Sequence, residues 1–256
     1  MAAATNSTPG TWSGLFSPEW GEKAHAPAFL KRYAALALTK ANEPVPQLTL
    51  LADSLASVIV LVGPGEARAA AEQIVPLCEP ALAEAGRLFQ KVDPPRVALQ
   101  VLSFVNAAEV CGAVQGRVEA SAAKAWLESL AKAARRQENP LAYRCGFVAL
   151  CLGEPELAAK LVGGGRLPGT FTPGEQFGVD VQGFIRYLAT AMKQQAPADD
   201  VRPAWQSFVE GFPMIKAAER GTWSDLVWAA RAWFTRFEQL PVARVGEALH
   251  TLVKPA

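Results

Sequence analysis

Histidine, clustered cysteine, charge of one sign and long apolar runs are all scarce in this sequence, and each scarcity closes off a class of chemistry. There are two histidines, His25 and His250, near opposite ends of the chain. The four cysteines, Cys78, Cys111, Cys145 and Cys151, show no CxxC spacing. A zinc site needs close ligand pairs, so no metal is expected. Each cysteine sits in an apolar segment, where free cysteine behaves as a small buried hydrophobe. Reduced thiols of that kind suit a cytoplasmic protein.

Charge is almost balanced. Twenty-five basic residues face 24 acidic ones, for a formal net charge of +1, and no Lys/Arg block occurs. Neither nucleic acid nor an anionic lipid surface has an electrostatic footprint to bind. The most apolar stretch, Leu48–Val62, is interrupted by Asp53, Ser54 and Ser57. A membrane span needs about 20 largely uninterrupted apolar residues, so no crossing is expected. Residues Met1 to Gly10 are small and polar, without the basic and apolar regions of a signal peptide. The expected location is the cytoplasm.

Catalytic motifs are equally thin. No Gly-x-Ser-x-Gly elbow occurs. Ser57–Gln73 imitates a phosphate-binding loop, with a β-branched run, then Gly63-Pro64-Gly65, then an alanine-rich segment. It lacks the third glycine of a dinucleotide fingerprint and the Lys-Ser/Thr of a P-loop, and reads as a turn between helices. Asp53 and Asp180 are the acids most open to a raised pKa, but neither has a histidine nearby in sequence. Surface-facing acids on amphipathic helices are the commoner case. No catalytic residue and no cofactor follow, and the chain is not read as an enzyme.

What the sequence does contain is helix. Half of its residues are apolar and 19% are charged, enough for a substantial core. In Leu48–Val62 the apolar positions Leu48, Leu51, Leu55, Val58, Ile59 and Val62 recur at helical spacing, with Thr49, Asp53 and Ser57 opposite. Pro27–Lys40, Gly65–Val75, Pro80–Val92, Pro95 to about Gly116, Glu119–Arg136, Pro140–Leu152 and Pro155–Val162 read as further helices, punctuated by proline and glycine. Pro76 and Pro80 are expected to break or kink the chain between two of them. Thr172-Pro173-Gly174-Glu175 reads as a capping box that starts a helix ending near Gln195. Pro203–Arg220, Trp223–Phe237, capped by Thr222 with Asp225, and Pro241–Lys254 complete the set.

The predicted fold class is therefore all-α. About ten helices are expected to pack as a right-handed helical-hairpin or irregular solenoid-like array in a single globular unit. Twelve of the 22 aromatic residues lie between Phe171 and Phe237. That asymmetry divides the chain into an N-terminal arm (1–20), an alanine-rich helical half (21–162) and an aromatic-rich half (163–256). Gly163-Gly164-Gly165-Arg166 lies at the seam. It reads as a helix end with slack rather than an anion nest or a mobile lid.

Function is read by class. Within Trp223–Phe237 one face is continuously apolar, while Trp228 points away from it with Arg231 one turn on. A tryptophan on the second face packs against another helix or waits for a partner, and partner surfaces favour Trp and Arg. Trp228, Arg231, Trp205 and Arg166 are the candidate partner-binding residues. The leading expectation is a non-enzymatic protein–protein interaction module of bacterial origin, an immunity protein that blocks a toxin or an adaptor or chaperone for an effector. The alternative is an enzyme or small-molecule binder with an interhelical pocket in the aromatic-rich half. That pocket would be lined by Phe208 and Phe212 beside Trp205 and Trp233, with Asp180 or Arg186 as polar anchor. The dense apolar groups of Trp12, Leu15, Phe16 and Trp20 would strap the arm to the body or form a homodimer.

Overall fold

The periodic segment at Leu48–Val62 forms helix α1, Val45–Leu61. Leu51, Leu55, Val58 and Ile59 are buried on one side, Asp53 and Ser57 half-buried on the other. The run Val58-Ile59-Val60 is helical because all three side chains are taken into a core, which outweighs their modest intrinsic preference for strands. Gly63 then turns the chain at φ +140°, a value that side-chain-bearing residues rarely adopt. The supposed phosphate loop is thus a corner between two helices. The computed structural model describes residues 45–90, 95–116, 120–133, 141–163, 167–175, 177, 180–219 and 223–253. Among them are ten α-helices, one short 3-10 turn and no strand.

Helix α2, Pro64–Gln90, corrects one expectation: it is a single element of 27 residues that runs through both Pro76 and Pro80. Their missing N–H groups would have bonded the carbonyls of residues 72 and 76, four apart and therefore on one side of the helix. Glu72 and Pro76 are exposed, so water can satisfy what the prolines leave open. Helix α3 (Pro95–Val110) and helix α4 (Ala120–Ala133) follow. Helices α5 (Leu141–Cys151) and α6 (Pro155–Leu161) form the expected hairpin, turning at Gly153 with φ +79°.

The capping box at Thr172–Glu175 is a second correction. Residues 173 and 174 form a turn, and helix α7 begins later, at Val181–Lys193. Its N-cap is Asp180, which accepts the Gly183 N–H at 2.9 Å. Tertiary packing decides the matter: Phe171 and Phe177 both lie on the ring of Tyr187, which folds this segment back along α7. Helix α8 (Ala198–Glu219) starts five residues before Pro203, in what read as a polar linker. Asp199 and Asp200 in its first turn complement the positive end of the helix. Helix α9 spans Trp223–Arg236, the 3-10 turn Val242–Arg244, and helix α10 Val245–Val253.

Buried residues from both halves of the sequence form one apolar cluster. Helices α1 and α3 pack most extensively, and α5, α6 and α7 pack beside one another. A Cβ on Gly146 of α5 would come within 2.9 Å of Val162 and 3.1 Å of Ile185, so glycine sets that close approach. Helix α9 closes the arrangement by packing on α1, α3 and α5, more than on its sequence neighbour α8. Among the described residues no helix is long and apolar enough to cross a membrane. The N-terminal arm, the Pro27–Lys40 helix, His25, Arg166 and the Thr222 cap lie outside the described residues.

Candidate functional site

The densest buried polar chemistry lies along one stripe of α9. Ser224, Trp228, Arg231 and Thr235 recur at intervals of four, three and four, which keeps them on one side of a helix. Trp228 and Arg231 meet a row on α3, where Ser103, Asn106 and Glu109 recur at intervals of three. All three of these α3 residues are buried.

The contacts are specific. Trp228 Nε1–H donates to Ser103 Oγ at 3.2 Å. Arg231 Nη1 donates to Asn106 Oδ1 at 2.9 Å and to Glu109 Oε2 at 2.7 Å. The Glu109 side chain is 4% exposed and that of Arg231 15%, so this ion pair is largely withdrawn from water. The Arg231 guanidinium also lies 5.9 Å from the centre of the Trp228 ring, within cation–π range. At the start of α9, Ser224 donates to Asp53 Oδ1 at 2.6 Å, and Arg144 Nε donates to Asp225 Oδ1 at 2.5 Å. Burial lowers the Arg144 pKa while Asp225, and then Asp53, raise it; the net shift is upward, so the cation is kept. At the other end Arg236 bonds the Cys151 carbonyl and so caps the C-terminus of α5.

This geometry relocates the sequence candidates. Trp228 is 1% exposed and Trp205 2%, so neither offers a surface to a partner. Arg231 faces α3, not solvent. Phe208 and Phe212 are buried within an aromatic cluster. Phe208 lies face to face with Phe184, ring centres 4.2 Å apart, and Trp205 stacks on Trp233 at 5.9 Å. Asp180 is an exposed helix cap, its carboxylate engaged by Gly183. Arg186 is half-buried, two residues and therefore about 200° round α7 from Phe184.

Asp53, an acid flagged by its setting, is in the seam with a serine and an arginine beside it. Ser103, Asn106, Glu109 and Arg144 were missed. For the three on α3 a signal was available: polar residues at every third position of a largely apolar helix mark a polar row that needs a partner. The thiols are muted. Burial pushes Cys111 up to about 11 and Cys145 up to about 12, so neither is a nucleophile near neutral pH. Among the described residues, no group of three or more His, Cys, Asp or Glu could hold a metal ion.

No protein family, curated protein or solved structure matches this chain.

Proposed function

We propose that this protein is a non-enzymatic helical interaction module whose partner is another protein. In its most specific form it is a bacterial immunity protein that neutralises a toxin, or an adaptor or chaperone for an effector. One observation carries the reading. The buried and half-buried charged side chains Arg231, Glu109, Arg144 and Asp225 engage one another across helix interfaces. Groups committed in this way hold helices in register, and what remains for function is the shape of the outer surface.

The surface charge pattern is compatible with a protein partner. Lys124 pairs with Glu154, Arg202 with Glu238 and Arg244 with Glu247, so cations and anions alternate over the described surface. Purification from the native host, followed by reconstitution with any protein that stays bound, tests the proposal. A complex of fixed stoichiometry, re-formed from the two purified chains, is the expected result. Turnover of a small molecule by the isolated chain, with no protein retained, would overturn it.

A further inference from the structure

The segment after the triple glycine carries an inference independent of the proposed partner. Residues 167–175 lie against α7 without forming a helix or strand. Two side chains hold them, Tyr187 of α7 and Gln194, the residue that caps its C-terminus. These are seven residues apart, two turns of the helix, and so share one side of it. Gln194 grips the segment by both ends of its amide: Oε1 accepts the Phe171 N–H at 2.9 Å, and Nε2 donates to the Gly169 carbonyl at 2.7 Å. The Tyr187 ring lies between Phe171, at 5.0 Å, and Phe177, at 4.9 Å. Its hydroxyl oxygen receives the backbone N–H of Gly174 and donates, at 3.4 Å, to the Asp200 carbonyl.

Leu167 is buried, Phe171 half-buried, and residues 168–170 and 172–175 are exposed. At the upstream end Gly163 already adopts a left-handed conformation, φ +73°, where glycine bends at no steric cost. The segment thus has little buried apolar surface and mostly exposed backbone, which are the marks of a locally opening unit. Beneath it Phe177 continues to Phe184, 5.8 Å away, and so to the aromatic core.

We propose that residues 167–175 are a strap that lifts as a unit while the helices remain folded, with Gln194 as its latch and Tyr187 as its seat. Opening would uncover the Tyr187 ring and the edge of the aromatic core behind it. Hydrogen exchange under native conditions, read by mass spectrometry on the full chain, tests this. In the wild type the amides of Phe171 and Gly174 should exchange faster than those of α9, at rates that low denaturant leaves unchanged. Gln194→Ala should speed exchange across the strap by about fivefold or more, the effect of losing one or two hydrogen bonds. Tyr187→Phe removes only the hydroxyl and should act mainly at Gly174. Protection of α9 should be unaltered in both variants, which shows that they fold. The proposal is overturned if strap amides exchange in step with α9, or if Gln194→Ala leaves strap exchange unchanged.

Discussion

Helix α9 has two inner sides, and they are built from opposite materials. Towards α8 it presents rings: Trp233 stacks on Trp205, and Phe234 meets the same indole edge-on at 5.8 Å. Towards α1, α3 and α5 it presents hydrogen-bonding groups, each set against a named partner. The ring side gains its stability from area removed from water and from contact, which is large but only loosely directional. The polar side gains little net energy, because desolvation offsets attraction. What it contributes is position. Sliding α9 by one turn on α3 would part Arg231 from Glu109 and leave a carboxylate buried away from its cation. The two sides thus divide the labour between holding and placing.

Truncation should separate them, beginning with the largest effect. Trp205→Ala removes a buried ring from a filled cluster, and nothing polar is left behind. A loss of about 4 kcal/mol in urea unfolding is expected, and no second apolar truncation nearby should restore it. Arg231→Ala should cost about 3 kcal/mol, chiefly because Glu109 then loses its cation in a dry site. Here a compensating change exists. The double variant Arg231→Met with Glu109→Leu should return to within about 1 kcal/mol of the wild type, since both charges go together. If the double variant is as unstable as the single one, the seam is ordinary packing and the contrast between the sides fails.

The contrast also explains which features could be read from the sequence. Apolar periodicity is a local property, so α1, the α5–α6 hairpin and α9 were legible almost to their ends. Proline and capping signals misled where tertiary contacts overrode them. Pro76 and Pro80 sit within α2, and Phe171 and Phe177 hold the Thr172–Glu175 segment out of a helix. Trp228 and Arg231 were visible as a second face on α9, but the sequence could not say what they faced. The answer lies more than a hundred residues away, at Ser103, Asn106 and Glu109. Pairing across that distance is set by the fold, and no local spacing encodes it. Arg144 is legible only as a charge in an apolar helix; its partner Asp225 read as a helix cap.

Neighbouring positions on α5 sharpen the comparison at intermediate size. Arg144 is paired with Asp225 across the helix interface. Cys145, next in the chain, lies on the apolar side at 1% exposure. Burial dominates there: it pushes the thiol up to about 12 from the usual 9, although Arg144 pulls the other way. The unfolded chain therefore loses this proton first as pH rises. Its contribution is constant below pH 9 and turns unfavourable between pH 9 and about 12. In that window the wild type should lose stability more steeply than Cys145→Ala, by about 1.4 kcal/mol per pH unit. Equal slopes for the two proteins would mean that the thiol is hydrated, and the apolar side less dry than its packing implies.

The smallest effect concerns how α9 is ended. After Arg236 the chain reverses through Gln239, whose φ of +54° is left-handed, and the Leu240 N–H closes the turn on the Phe234 carbonyl at 2.8 Å. Glycine normally occupies such a position because a Cβ is penalised there. Gln195 does the same after α7, at φ +53°, with the Ala196 N–H closing on Ala191 at 2.9 Å. Gln239→Gly relieves that strain but gives the unfolded chain more freedom, so the net gain should be below about 1 kcal/mol. Gln195→Gly should match it if backbone strain is the whole effect. Both glutamines are exposed, which favours equality. A gain at Gln195 with a loss at Gln239 would show that the side chain after α9 does more than turn the chain. The end of the helix that carries both the rings and the polar seam would then be held by an additional contact.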